Sequence, residues 1–173
     1  MWRLTKNSRR RAARWAIGLS LVIQWAAVRA QIAQSPGVDN PQRAWQHWTL
    51  NCQGCHRPDG TGSEGTAPSL AGTVAQFLWA PGGREYLCRV PGVATSALSD
   101  ADLAEVMNWM MWRFDADHMR ADFLPFTSEE LKKWRPRPLR LEASGMRAEL
   151  LAKAQAAIAS RAHNNSDSQP KDP

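Results

Sequence analysis

Apolar positions along this chain of 173 residues recur in helical steps, not in the alternation of strands. Between Pro41 and Asn51, Trp45 and Trp48 stand at i, i+3. Asn40 suits the N-cap and Pro41 the first turn, which predicts a helix over 41–51. From Leu98 to Phe114, the residues Leu103, Val106, Met107 and Met110 share one face, and Phe114 follows Met110 at i+4. Ser99 and Asp102 form a capping box at its start, with acids in the first turn. A second box, Thr127-Ser-Glu-Glu130, opens a short helix through Lys133, and Arg135-Pro-Arg-Pro138 reads as extended. From about Ser144 to Ala162 an Ala-rich run places Met146, Leu150, Leu151, Ala154 and Ile158 at helical steps. Ala121–Phe126 is an apolar extended segment expected to lie against the domain, and Asn164–Pro173 is polar and expected to be disordered. No internal repeat and no strand-rich segment is visible, so the pattern predicts an all-α protein.

The run from Trp15 to Val28 is of another kind. It is apolar but shorter than the roughly 18–20 residues of a bilayer span, and Gln24 interrupts it. Residues 1–30 carry seven basic side chains and no acid, and Val28-Arg29-Ala30 offers a cleavage site before Gln31. That is a secretory signal, with an uncleaved anchor helix as the rival. Ala12 and Ala13 after Arg9-Arg10-Arg11 lack the bulky apolar character of a twin-arginine signal, so ordinary export is expected.

Charge changes meaning once this segment is set aside. The whole chain, with 22 Lys+Arg against 16 Asp+Glu, has a net charge of +6 and suggests an anionic partner. Without residues 1–30 the count is 15 against 16, so the nucleic-acid reading loses its support and no stable membrane span remains. Residues 31–126 hold 6 basic and 10 acidic side chains, and residues 127–173 hold 9 and 6. The basic end reads either as a cover on the domain or as an arm that docks a partner.

The chemistry lies in Cys52-Gln53-Gly54-Cys55-His56. A chance C-x-x-C-H is expected in about one such chain per thousand, so the motif is specific. Two thiols three residues apart lie about one helical turn apart and reach one edge of a porphyrin, where they add to its two vinyl groups. The next residue, His56, can present its imidazole to the iron. A zinc site would need a second ligand pair, but the remaining Cys88, His47, His118 and His163 show no paired spacing. A thioredoxin-like redox pair would need a βαβ context, which is lacking.

Over roughly residues 40–115 the sequence resembles class I c-type cytochromes. The resemblance rests on the helix before the motif, on Cys55-His-Arg-Pro-Asp-Gly-Thr-Gly with Gly65-Thr-Ala-Pro-Ser-Leu-Ala-Gly72, and on the Ser-Asp-capped last helix. It implies an all-α, cytochrome c-like haem domain over 31–126 with a C-terminal helical extension over 127–173. It also implies one covalently attached haem c, held by Cys52 and Cys55 with His56 on the iron. Pro68 matches the proline whose carbonyl accepts the histidine's other ring N–H in the family. Trp109 matches the aromatic residue by which the last helix crosses the first, aromatic against small residue.

The chain departs from the family at the sixth ligand. Most members place a Met in the loop before the last helix, but Tyr86–Leu98 here contains neither Met nor His. Met107, Met110, Met111, His118, Met119 and Cys88 are candidates, and a five-coordinate iron is the remaining option. The expected function is that of a periplasmic monohaem carrier passing single electrons between redox partner proteins, such as a dehydrogenase donor and an oxidase or cytochrome acceptor. The alternative is a haem protein with an open site that binds small ligands or reduces peroxide. A structural subunit that joins a complex through its C-terminal helix is a third class. No constellation for proton transfer or nucleophilic attack is present.

Overall fold

A computed structural model describes residues 35–167. The expected signal segment and the last six residues of the tail lie outside that range. Helices account for all the regular structure among the described residues, apart from an isolated bridge between Ser63 and Ala67. They are α1 (Pro41–Asn51), α2 (Gln53–His56), α3 (Gly83–Arg89), α4 (Pro91–Ala94), α5 (Asp100–Asp115), α6 (Ser128–Trp134) and α7 (Ala143–Asp167), with 3-10 turns at Ala75–Trp79 and Ala116–His118. The all-α expectation is met.

The caps read from the sequence hold the helix starts. The Asn40 side chain accepts from Arg43 N at 3.0 Å, Ser99 Oγ from Asp102 N at 3.1 Å, and Thr127 Oγ1 from Glu130 N at 3.2 Å. Neither box closes reciprocally. Asp102 is too short to reach back to the backbone and takes the Ser99 hydroxyl instead, while Glu130 turns away to Arg84 at 2.6 Å.

Helix α5 is the axis of the fold, and it is buried on more than one face. Every residue from Leu103 to Met111 is buried, because α1 packs on one side and α6 on another. Two polar side chains make this possible. Glu105 accepts from Asn40 N at 2.7 Å and Arg43 Nε at 2.8 Å, fixing the start of α1 on α5. Asn108 donates to the carbonyls of Gly37 and Phe126 and accepts from Phe126 N, which pins the chain entering α1 and the segment leading to α6. Phe126 is buried by this clasp, while Leu124 in the same segment is largely exposed.

On α1, Trp48 and Ala44 form the inward pair at i, i+4, whereas Trp45 faces out at 48% exposure. The crossing of α1 and α5 is aromatic on aromatic. Trp48 and Trp109 have ring centroids 6.0 Å apart, and Phe114 stands 4.7 Å from Trp48, so Trp109 meets an aromatic partner on α1, beyond the aromatic-against-small contact the resemblance implied.

Three further expectations are corrected. Tyr86–Leu98 is largely helical: α3 ends at Arg89, and Pro91 at a first helical position starts α4. Arg135 is not extended but completes α6, its N–H bonding to Leu131 O at 2.9 Å, despite the following proline. Helix α7 runs through Asn164 to Asp167, residues expected to be disordered.

The extension is built into the molecule. The Arg135 guanidinium donates to the carbonyls of Leu98 at 3.1 Å and Ser96 at 2.5 Å and to Asp100 at 2.6 Å, holding the approach to α5. Arg89 Nε bonds Arg137 O, and Leu139 N bonds Arg89 O. Helix α7 then packs along the 3-10 turn Ala75–Trp79 with Leu150 and Ala154 inward, as its periodicity predicted.

Candidate functional site

Helix α2 is a single turn wrapped on Cys52. The carbonyl of Cys52 accepts from Cys55 N at 3.2 Å and His56 N at 3.0 Å, so the two thiols and the imidazole follow one another around one turn. Arg57, with φ +61°, ends the turn and redirects the chain. Cys52 is half-buried and Cys55 exposed. Burial, with Cys55 adding to it, pushes the Cys52 thiol up to about 11, so that thiol is neutral at ordinary pH.

His56 is oriented from its δ side. Its Nδ1 lies 3.1 Å from Pro68 O, and a carbonyl only accepts, so Nδ1 carries the proton and Nε2 keeps its lone pair. Burial holds the imidazole below its usual pKa, the Pro68 bond opposes this, and the charge of Arg147 adds to the lowering. A neutral ring with one free nitrogen is the form that ligates a metal. Trp48 flanks it, with ring centroids 6.0 Å apart.

Pro68 is held in turn by the loop around it. Gly62 N bonds His56 O at 3.0 Å, and Ser63 Oγ bonds Cys55 O at 2.9 Å. A Cβ on Gly62 would stand 2.7 Å from the carbonyl carbon of Pro68 and 2.8 Å from its oxygen, so the two strands touch backbone to backbone. Leu70 N then bonds Gly60 O at 2.7 Å, and Gly72 N bonds Phe114 O at 2.9 Å, tying the far end of the loop to α5.

The donor set fits covalent haem. Two cysteine sulfurs on one turn lie beside a single imidazole with a fixed tautomer. Among the described residues no three His, Cys, Asp or Glu side chains gather at one point.

The sixth-ligand candidates are scattered. Met107 and Met111 are enclosed by protein at 1% and 0% exposure, as core methionines are, and Met110 is buried beside them. Cys88 is fully buried on α3, and burial, with Glu130 nearby, pushes its thiol up to about 12. His118 is tied by Nδ1 to Asp115 at 2.5 Å, and Met119 follows the same 3-10 turn, half-buried. The ring and hydrogen-bond contacts of His56 are with Trp48 and Pro68 and do not include these side chains.

Sequence reasoning missed Gly62, Ser63, Tyr86 and Arg147 around the site. Gly62 lay within the quoted loop, but its close approach to Pro68 is a tertiary fact. Arg147 lies 91 positions beyond His56, and no local spacing points to it.

No family model matches the chain. Two curated relatives do, a cytochrome c-552 of Thermus thermophilus and a cytochrome c-552 from a named strain of the same species. Each is 37% identical over 106 aligned residues, covering 51% of this chain and 81% and 72% of the respective relative.

Proposed function

The chain belongs to the c-type cytochromes, and from that premise we propose that it is an exported monohaem carrier whose haem is held by Cys52 and Cys55, with His56 as the proximal iron ligand. As a c-type cytochrome it carries covalent haem c and transfers electrons. The haem supplies reversible one-electron exchange when bound; the protein supplies attachment, orientation and exclusion of water. Cys52 and Cys55 would hold the haem through thioether bonds. Pro68 keeps the δ proton on His56, which leaves Nε2 free to ligate the iron. The single observation that carries this reading is the His56 Nδ1 to Pro68 O bond at 3.1 Å, made from the same helical turn as the cysteine pair.

In the same reading residues 1–30 direct export to the periplasm and are removed. Residues 31–126 form the haem domain and 127–173 its helical extension. The partners are redox proteins, a periplasmic dehydrogenase upstream and an oxidase or second cytochrome downstream. Among the described residues no helix is long and apolar enough to cross a membrane.

A second reading, an open iron that binds small ligands or reduces peroxide, has one observation in its favour. The approach to α5 from Val90 to Leu98 carries no Met or His, and Met107, Met111 and Cys88 are closed into the core. Visible spectra of the ferrous holoprotein with and without carbon monoxide separate the two. A carrier gives a low-spin spectrum that carbon monoxide leaves unchanged; a high-spin spectrum that shifts on adding the gas establishes the open site.

A further inference from the structure

Arg147 projects from the first turns of α7 onto the wall of the site. Its Nη2 donates to Ser69 O at 3.1 Å, the carbonyl next along the chain from the one that accepts from His56. Its guanidinium lies 5.3 Å from the centroid of Phe77, whose ring stacks on Tyr86 at 5.0 Å. Tyr86 in turn donates to Ala143 O at 3.2 Å, so α7 is fastened beside the site by both partners.

The electrostatic setting of Arg147 differs from that of Arg135. Arg135 neutralises its charge against Asp100. Arg147 is half-buried among a carbonyl, a phenol and an aromatic face, and among the described residues it forms no ion pair with a carboxylate. A half-buried cation without a counter-ion acts over a longer range than an exposed pair, because water screens it less.

We infer that Arg147 is a positioning residue of the haem site: the C-terminal extension uses it to hold the Pro68–Ser69 strand against His56 and to place a fixed positive charge there that raises the reduction potential. The inference rests on the haem reading above. Reduction adds one electron to the site and moves no atom, so a neighbouring fixed cation favours the reduced form. The charge sits one residue from the carbonyl that holds His56, because Arg147 bonds Ser69 O and His56 bonds Pro68 O. The role also gives the extension a use at the site itself, beyond covering the domain.

The test is optical redox titration of the full-length holoprotein, comparing the wild type with R147Q, R147A and R147K. At the potential where the wild type is half reduced, both neutral variants are expected to show a ferrous-to-ferric ratio lower by about tenfold. For a one-electron couple that equals a fall of ~59 mV. R147K, which keeps the charge, is expected to stay within about twofold of the wild type. The inference is overturned if the neutral variants titrate like the wild type. It is also overturned if R147K falls as far as they do, which would mark Arg147 as a packing element only. Covalent haem per chain, measured on the same samples, keeps the two claims apart. A wild type without haem sinks the underlying reading, whereas full haem with an unmoved potential sinks only the role of Arg147.

Discussion

Replacing Gly62 by Ala perturbs the point on which the orientation of His56 depends. Gly62 has φ +79°, and its Cβ would overlap Ala67 O and stand 2.7 and 2.8 Å from the carbonyl carbon and oxygen of Pro68. All three obstacles are backbone atoms, which cannot swing aside as a side-chain tip would. A left-handed backbone costs an L-residue roughly 1–2 kcal/mol. Displacing the Pro68 carbonyl also costs the His56 bond, about 0.5–1.5 kcal/mol. The total is about 1.5–3.5 kcal/mol. Gly65 supplies the control: its φ is +73° and its Cβ would meet nothing within 4 Å, so Gly65→Ala bears only the backbone cost. Guanidinium unfolding of the holoprotein, followed by far-ultraviolet circular dichroism, reads both. Gly62→Ala is expected to lose at least about 1 kcal/mol more than Gly65→Ala, the contribution of the carbonyl contact and its hydrogen bond. Equal losses would refute the claim that close backbone approach holds Pro68 against the imidazole.

Other parts of the structure lead to separate expectations. Arg135→Ala removes three hydrogen bonds from the approach to α5 and leaves Asp100 without its cation, so it should destabilise by about 2–4 kcal/mol in the same assay. A loss below about 0.5 kcal/mol would show that the extension does not hold that segment. Burial raises the carboxyl of Asp115 above its ordinary value, with the bonds from His118 and Ala75 opposing. A carboxyl raised in the folded state stabilises most below its unfolded pKa of 3.8, and that contribution is lost as pH climbs through the folded value. Asp115→Asn should therefore gain on the wild type as pH rises from about 4; a constant difference would contradict the assignment. The Cys88 thiol, pushed up to about 12, should resist alkylation in the native holoprotein at about pH 8 and react on unfolding. Native labelling as fast as in denaturant would place it at the surface instead.

How much was legible depended on range along the chain. The starts of α1, α5 and α6 were visible because Asn40, Ser99 and Thr127 act within three residues of their partners. The cysteine pair and His56 were visible because their chemistry is compressed into one turn. The Pro68 bond came from family resemblance, and the geometry agrees with it at 3.1 Å. What stayed hidden is tertiary. Glu105 looked like one more acid in a capped helix, yet it is buried and fastens Asn40 and Arg43 across more than sixty residues. Periodicity assigned α5 one buried face because it could not foresee that α1 and α6 would cover two. The segment Tyr86–Leu98 lacks a strong apolar period, so its two short helices escaped notice. The bonds of Arg135 and Arg147 into the haem domain were not visible, since their partners lie 35 and 78 positions away.

The most direct measurement of the central claim is intact mass spectrometry of the purified protein after acid–acetone extraction, with absorbance of both fractions. One haem per chain is predicted to stay with the polypeptide and to be lost from the Cys52→Ser, Cys55→Ser double variant. Haem that passes entirely into the organic phase from the wild type, leaving a chain of unmodified mass, would contradict covalent attachment at these two cysteines.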